Sequence, residues 1–237
     1  MPIEGWEFGW LEGRATEERP PWRYAELVAD RVKRSSALLD IQTGGGEMLG
    51  RLPHHPSLAV ATEGWWSNVT RAAERLRPRG VHVVGTHDRP ALPFADETFD
   101  LVTARHPVQT WWEEVARVLR PGGRFLSQQV GPHSVAELSE FLMGPQPARS
   151  LREPRIALDS AEAAGLEVRD LRTARLRTVF YDIGAVVYFL RLVIWIVPDF
   201  SVDRYRDRLA ALDALIRRDG SFVAHATRFL IEAMKPS

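Results

Sequence analysis

Short apolar runs alternate with amphipathic stretches along most of this chain. "ALLDI" (37–41), "SLAVAT" (57–62), "VHVVG" (81–85), "FDLVTA" (99–104) and "GRFLSQQV" (123–130) are each bounded by turn residues or charge, as strands buried on both faces are. Between them, residues 65–76, "WWEEVARVL" (111–119) and the segment from Ser134 to Leu142 carry helical spacing. Strand and helix in alternation, with continuous apolar strands, predict a parallel sheet covered by helices on both faces. Ligands of such sheets bind beyond the carboxyl ends of the strands. From Ala148 the order changes to helix (156–164), strand (166–174), apolar helix (182–195), amphipathic helix (202–218) and a last extended run, "SFVAHATRFLIEA". The two late strands are expected to extend the sheet as an antiparallel pair at one edge, the helices between them forming an insertion. No repeat or long linker interrupts the chain, so one α/β domain is expected over 1–237. Residues 1–33 hold Trp6, Trp10 and Trp22, an aromatic load that should cover something.

Composition narrows the function classes. A chain of 237 residues, 45% of them hydrophobic, can bury a full-sized core. Its 31 basic and 31 acidic side chains cancel, so no overall basic field draws in a phosphate backbone and nucleic acid is disfavoured as a partner. The basic run "RLRPRG" (75–80) reads first as a solvated corner. Without cysteine, disulfides, thiolate metal sites and cysteine nucleophiles are impossible, and no metal is expected. The start, "MPIEGWEFGWLEGR", lacks the charged and apolar pattern of a secretory signal, so a cytoplasmic protein is expected, as monomer or homodimer. "IGAVVYFLRLVIWIVP" (183–198) is shorter than the roughly 20 residues a spanning helix needs and carries Arg191. It reads as a buried or lid-forming helix with no membrane role, its spacing grouping Ile183, Val187 and Leu190 and turning Val186 and Tyr188 to other faces.

Candidate chemistry concentrates at the strand ends. "LLDIQTGGGEML" places three glycines between a strand and a helix start, where the backbone can turn tightly and approach a ligand. The phosphate-loop pattern GxxxxGK[ST] is absent, and the dinucleotide pattern GxGxxG does not fit either. Asp40 at the strand end, before Gly44, Gly45 and Gly46, suits a ligand with a cationic amine and no phosphate. The second strand ends at Glu63, whose carboxylate can accept hydrogen bonds from two ribose hydroxyls. The third ends "VVGTHDRPALPF", where His87 and Asp88 can meet a base edge. Three strand ends thus address one nucleoside.

Asp40 through Gly46, Glu63, "LPFADETFDLV" and "EEVARVLRPGGRFL", in this order over residues 35–130, together resemble a class I S-adenosylmethionine-dependent methyltransferase. The resemblance implies a Rossmann-like, doubly wound sheet of seven strands ordered 3-2-1-4-5-7-6, mostly parallel with strand 7 antiparallel. It implies an amino-terminal helical cover over 1–34, a cofactor-binding core over 35–130, and substrate-side helices with the last two strands over 131–237. S-adenosyl-L-methionine would be the cofactor and S-adenosyl-L-homocysteine its product. Gly44, Gly45 and Gly46 would approach the methionine part, Glu63 and Gly64 the ribose, and His87 and Asp88 the adenine, with Arg105 and His106 near the transferred methyl. One departure stands out, since Gln42 occupies the family's first glycine position and must either point away from the cofactor or hydrogen-bond it. "ALLDIQTGGGEML", "TEGWWSNV" and "SQQVG" further resemble a bacterial group of methyltransferase-domain proteins. The similar "GRATEERPPWRY" of that group implies that Arg14, Trp22 and Tyr24 close over the cofactor.

Methyl transfer requires alignment, exclusion of water and, for some acceptors, removal of a proton, and His106 is the candidate base. Family members that methylate exocyclic base nitrogens or glutamine amides usually carry [DN]PP[YFW] after the fourth strand, where this chain reads "ARHPV". Trp111, Tyr181, Tyr188 and Trp195 suit a pocket for a flat or apolar molecule. Residues 178–205 are the expected seat of acceptor specificity. The expected activity is methylation of a small molecule on oxygen, nitrogen or carbon. The alternatives are an RNA or protein methyltransferase and a catalytically silent S-adenosylmethionine-binding module. For Asp40, Glu63 and Trp111, turn capping, helix capping and core packing are the competing structural roles. Gln128 and Gln129, adjacent in a strand, should face opposite sides.

Overall fold

The computed structural model describes residues 8–87, 90–146 and 152–237. Its strands are β1 (Ala15–Glu17), β2 (Ala37–Ile41), β3 (Leu58–Glu63), β4 (His82–Gly85), β5 (Phe99–Arg105), β6 (Leu119–Val130), β7 (Glu167–Phe180) and β8 (Phe222–Met234). They form an eight-stranded sheet ordered β1-β7-β8-β6-β5-β2-β3-β4. Setting β1 aside and counting β2 as the first strand, this is the expected 3-2-1-4-5-7-6. The eighth strand is the correction: β1 pairs antiparallel with β7, Ala15 opposite Phe180.

The chain divides into two compact units. One comprises Met1–Pro20, Gly131–Leu151 and Ala174–Arg228, the other Pro21–Val130, Arg152–Thr173 and Phe229–Ser237, with a boundary at Val130 and none at 34.

The second unit holds the parallel strands. Helices α1 (Tyr24–Val32), α2 (Glu47–Gly50), α3 (Trp66–Leu76), α4 (Trp112–Val118) and α6 (Pro154–Ala163) belong to it. Every residue of β2 is buried, as a central strand covered on both faces requires. Side chains alternate across it. Leu39 and Ile41 join Val60, Val102, Phe125 and α4's Trp112 and Val115 in one cluster, and Leu38, Leu101 and Leu126, equally buried, turn to the opposite face. Between the pairs Phe99–Leu119 and Leu101–Arg124 the β5–β6 register jumps, so Pro121, Gly122 and Gly123 bulge from the ladder. β8 runs antiparallel to β6, Gly122 N donating to Lys235 O and Lys235 N to Gly123 O.

The first unit holds α5 (Ala136–Met143), α7 (Ile183–Leu192) and α8 (Arg206–Asp219). α7 buries Ala185, Val186, Leu190 and Leu192, and Ile183 and Val187, partly buried, pack against the same cluster. Asp182 caps it, accepting from Ala185 N at 2.9 Å, and is held in turn by Arg14 (2.6 and 2.9 Å). Among the described residues no helix is long and apolar enough to cross a membrane.

Candidate active site

Parallel register brings the carboxyl ends of β2, β3, β5 and β6 to one level. Asp40 lies beside Thr103, Glu63 beside Gly85, and Arg105 beside Gln128. After β2 the backbone turns left-handed three times, at Gln42 (φ 54°), Gly44 (φ 65°) and Gly46 (φ 76°). Glycine meets this demand without strain, and glutamine does not. Gly46 has a second reason, since a β-carbon there would stand 2.8 Å from the Leu76 side chain. At Gly45 a β-carbon would meet the Glu47 carboxylate, which pairs with Arg75 at 2.7 Å. The expected helix after the turn lasts one turn, Glu47–Gly50.

Three carboxylates surround this turn. Asp40 is 2% exposed, and burial pushes its carboxyl up to about 6, against the Thr103 hydroxyl donating at 2.6 Å and the charge of Arg105, with Glu63 adding to the rise. Asp40 thus bonds across to β5 through Thr103. Glu63 accepts from Gly44 N at 2.8 Å and from Trp65 N at 2.9 Å, which ties the acid at the end of β3 to the glycine turn. Gly64 follows it in the chain, and Trp65 and Trp66 stand exposed at 46% and 73%. Trp66 lies over Gly85, where an added β-carbon would touch its ring at 3.2 Å. Residue-by-residue reading missed these tryptophans as site candidates, though "TEGWW" directly after the acid was the available signal. His87 is exposed beyond β4, while Asp88, like Trp6, lies outside the described residues.

The loop after β5, His106 to Thr110, is held by three glutamines. Gln42 spends both ends of its amide there, accepting from Val108 N at 2.6 Å and donating to Gln109 O at 2.8 Å. Gln129 donates to Thr110 Oγ1 at 3.1 Å. Gln128 accepts His106 N on its backbone oxygen at 2.7 Å, and its side-chain nitrogen lies 2.8 Å from His106 Nε2. Its side-chain oxygen accepts from Trp22 Nε1 at 2.8 Å. Gln128 and Gln129 leave the strand on opposite sides yet grip the two ends of one loop. His106 itself is left-handed, φ 54°.

Other expected residues have different surroundings. Tyr24 is buried, its hydroxyl set against Ala104 O and Leu126 O at 3.1 and 3.0 Å. Burial first, and the Asp40 charge second, raise that phenol well above its usual value. Trp111 and Trp112 are 7% and 8% exposed in the core cluster, so core packing is the role the structure gives Trp111. In the first unit, Arg14 lies over the Trp10 ring at 3.7 Å while paired with Asp182. Tyr188 packs on Trp10 at 4.7 Å, Tyr181 is exposed and Trp195 is half-buried. Among the described residues no three His, Asp or Glu side chains gather as a metal site.

Residues 39–127 match the methyltransferase domain family. Demethylmenaquinone methyltransferase of Beutenbergia cavernae is 32% identical over 111 residues, covering 44% of this chain and 45% of that protein. The chain thus matches less than half the length of its curated relatives. A S-adenosylmethionine-dependent methyltransferase from Geobacter sulfurreducens, solved with S-adenosyl-L-homocysteine, superposes with a TM-score of 0.55 at 18% identity, covering 92% of each chain. The [4+2]-cyclase SpnF superposes with a TM-score of 0.56 at 21% identity, over 90% of this chain and 81% of that one. These likenesses establish the fold, and the cyclase shows that the fold also serves other chemistry.

Proposed function

We propose that this chain, which carries a class I S-adenosylmethionine-dependent methyltransferase domain over residues 39–127, methylates a small-molecule acceptor. One observation carries the assignment: the Glu63 carboxylate and the left-handed glycine turn are joined by the 2.8 Å bond from Gly44 N, with Asp40 buried beside them. This donor set fits a ligand with ribose hydroxyls and a positive charge. A carboxylate offers about four acceptor positions for hydroxyls, and the acids at 40, 47 and 63 would repel a phosphate. The left-handed turn brings backbone rather than side chains toward the ligand.

Glu63 would hold the ribose, the Gly44–Gly46 turn and Asp40 the amino-acid end, and Trp65 and Trp66 the base. S-adenosylmethionine, when bound, supplies the electrophilic methyl group. The chain's own task is alignment: the three glutamines fix the loop that ends β5, and His106 on that loop is the residue we assign to the acceptor side. A small acceptor is supported by the demethylmenaquinone methyltransferase activity of the curated relatives and by "ARHPV" after β5 in place of the pattern usual for base or glutamine methylation.

The test is transfer of label from methyl-labelled cofactor to a panel holding demethylated quinones, phenols and amines, with tRNA and cell protein as separate arms. Label in a small molecule, lost in His106→Ala with cofactor binding retained, is the expected result. Label confined to RNA or protein would overturn the acceptor class. Binding without transfer to any arm would leave a cofactor-binding module.

A further inference from the structure

We infer that Arg105 holds the carboxylate of the cofactor's amino-acid end, so that Asp40 and Arg105, opposite charges on one face of the sheet that do not pair with each other, clamp a zwitterion. This rests on the proposed cofactor and adds a residue to its site. Asp40 lies beside Thr103 in the parallel register of β2 and β5, and the Thr103 hydroxyl donates to it at 2.6 Å. Arg105 stands two residues further along the same strand, so its side chain leaves on the face that carries Thr103 and Asp40. One step across the sheet and two along the strand put the β-carbons of Asp40 and Arg105 roughly 8 Å apart.

The two charges differ in their surroundings. Asp40 is buried, whereas Arg105 is exposed, and among the described residues its guanidinium makes no hydrogen bond or ion pair. Arg75, at the glycine turn, is committed instead, to Glu47 at 2.7 Å and to Gly45 O. The Tyr24 hydroxyl, set against Ala104 O and Leu126 O, lies within the field of both groups. Burial dominates the titration of that phenol, and the charges of Asp40 and Arg105 then act on it in opposite senses, as they do when both look toward one place. A buried acid and an uncommitted cation so close together leave both charges to a third party.

The chemistry of the ligand says what that party is. On S-adenosylmethionine the ammonium and the carboxylate are borne by one carbon, so a site that takes the ammonium at a buried acid also draws a negative group close to that acid. Asp40 alone would repel it. A cation must therefore stand beyond the ammonium, on the same face. Arg105 meets this need, since its planar fork matches a carboxylate and its root, one diagonal step from the acid, leaves it reach to spare. The pair would select a ligand bearing both charges against one bearing the ammonium alone.

Two probes that differ only at that carboxylate test this by binding alone, without an acceptor. S-adenosylmethionine and decarboxylated S-adenosylmethionine are titrated calorimetrically into the parent, Arg105→Gln and Arg105→Lys, in buffer above the Asp40 titration, with melting curves to confirm folding. The parent should bind S-adenosylmethionine roughly 10- to 100-fold more tightly than the decarboxylated compound. Arg105→Gln should lose most of that preference by weakening S-adenosylmethionine alone, and Arg105→Lys should keep part of it, having the charge without the fork. Equal affinity of the parent for the two probes, or equal weakening of both in Arg105→Gln, would overturn the inference. So would a parent-sized preference in folded Arg105→Gln, which would give the carboxylate to the backbone of the turn. Each of these outcomes leaves the cofactor assignment standing, whereas a parent that binds neither probe would remove that assignment and this inference with it.

Discussion

Gln42 shows how a single residue departs from its family's pattern and what stands in return. Its left-handed backbone costs a non-glycine residue about 1–2 kcal/mol, while its amide makes two hydrogen bonds to the loop after β5, each contributing about 1 kcal/mol. The two terms nearly cancel. Gln42→Gly should accordingly melt within about 1 kcal/mol of the parent, because it sheds strain and bonds together. Gln42→Ala keeps the strain and loses the bonds, so it should be less stable by about 2 kcal/mol. Chemical denaturation of the pair checks this, and equal losses in both would show that the backbone angle carries no cost.

Asp40 makes the opposite trade. Its folded-state carboxyl titrates at about 6 against an ordinary value of 3.8, so the folded state binds its proton more readily than the unfolded chain. The stability it contributes is present below about pH 4 and lost as pH rises through 6, leaving a penalty of up to ~3 kcal/mol at neutral pH. Asp40→Asn should therefore melt higher than the parent at pH 8, with the gain shrinking between pH 6 and 4, and should bind cofactor more weakly. A lower melting temperature at every pH would show that the Thr103 contact needs the charge. A buried, destabilising acid beside a ligand turn is the pattern of a residue retained for function.

Among the elements, α7 depends on its first turn. Asp182 caps it and pairs with Arg14, and the Arg14 hydrogen bond foremost holds that carboxyl below its usual value. A depressed carboxyl contributes stability above the unfolded value and loses it as pH falls through the folded one. Both partners are over a third exposed, so the ion pair contributes little and the cap dominates. Asp182→Ala should cost about 1–2 kcal/mol at pH 7 and progressively less below pH 4, measured by thermal melts across that range. Elements also mark where pattern reading ended. The three-residue β1 is too short for any period, and "EVRDLRTARLRTVF" continues β7 to Phe180 although its charges hide the strand. Pro121-Gly122-Gly123 reads as a turn yet bulges within β6. α7 stops at Leu192 rather than 195.

At the scale of the molecule, the parallel half was legible because buried strands must be continuously apolar, and β2 to β5 fall within one or two residues of their expected limits. The sheet order followed from family resemblance rather than from periodicity. Within the candidate site, Asp40, the glycines and Glu63 were legible because each stands at a strand end. The bonds that hold the loop after β5 were not, since Trp22, Gln42 and Gln128 come from three separate segments and join that network only in the folded chain. Tyr24, implied by the resemblance, and Trp111, singled out for its aromatic ring, are both buried in the structure, where packing needs aromatics as much as recognition does.

The most direct measurement is calorimetric titration of S-adenosylmethionine and S-adenosylhomocysteine into the parent and Glu63→Ala, in chelator, with melting curves to confirm folding. The parent should bind both. On the proposed assignment Glu63→Ala would remove a charged acceptor from the ribose, a loss of about 1.5–3 kcal/mol, or roughly one to two orders of magnitude in affinity. Absence of binding by either ligand to the folded parent at millimolar concentration would contradict the cofactor assignment. Parent-like affinity in folded Glu63→Ala would show that this acid serves the turn and the helix start, through its bonds to Gly44 and Trp65, rather than the ribose.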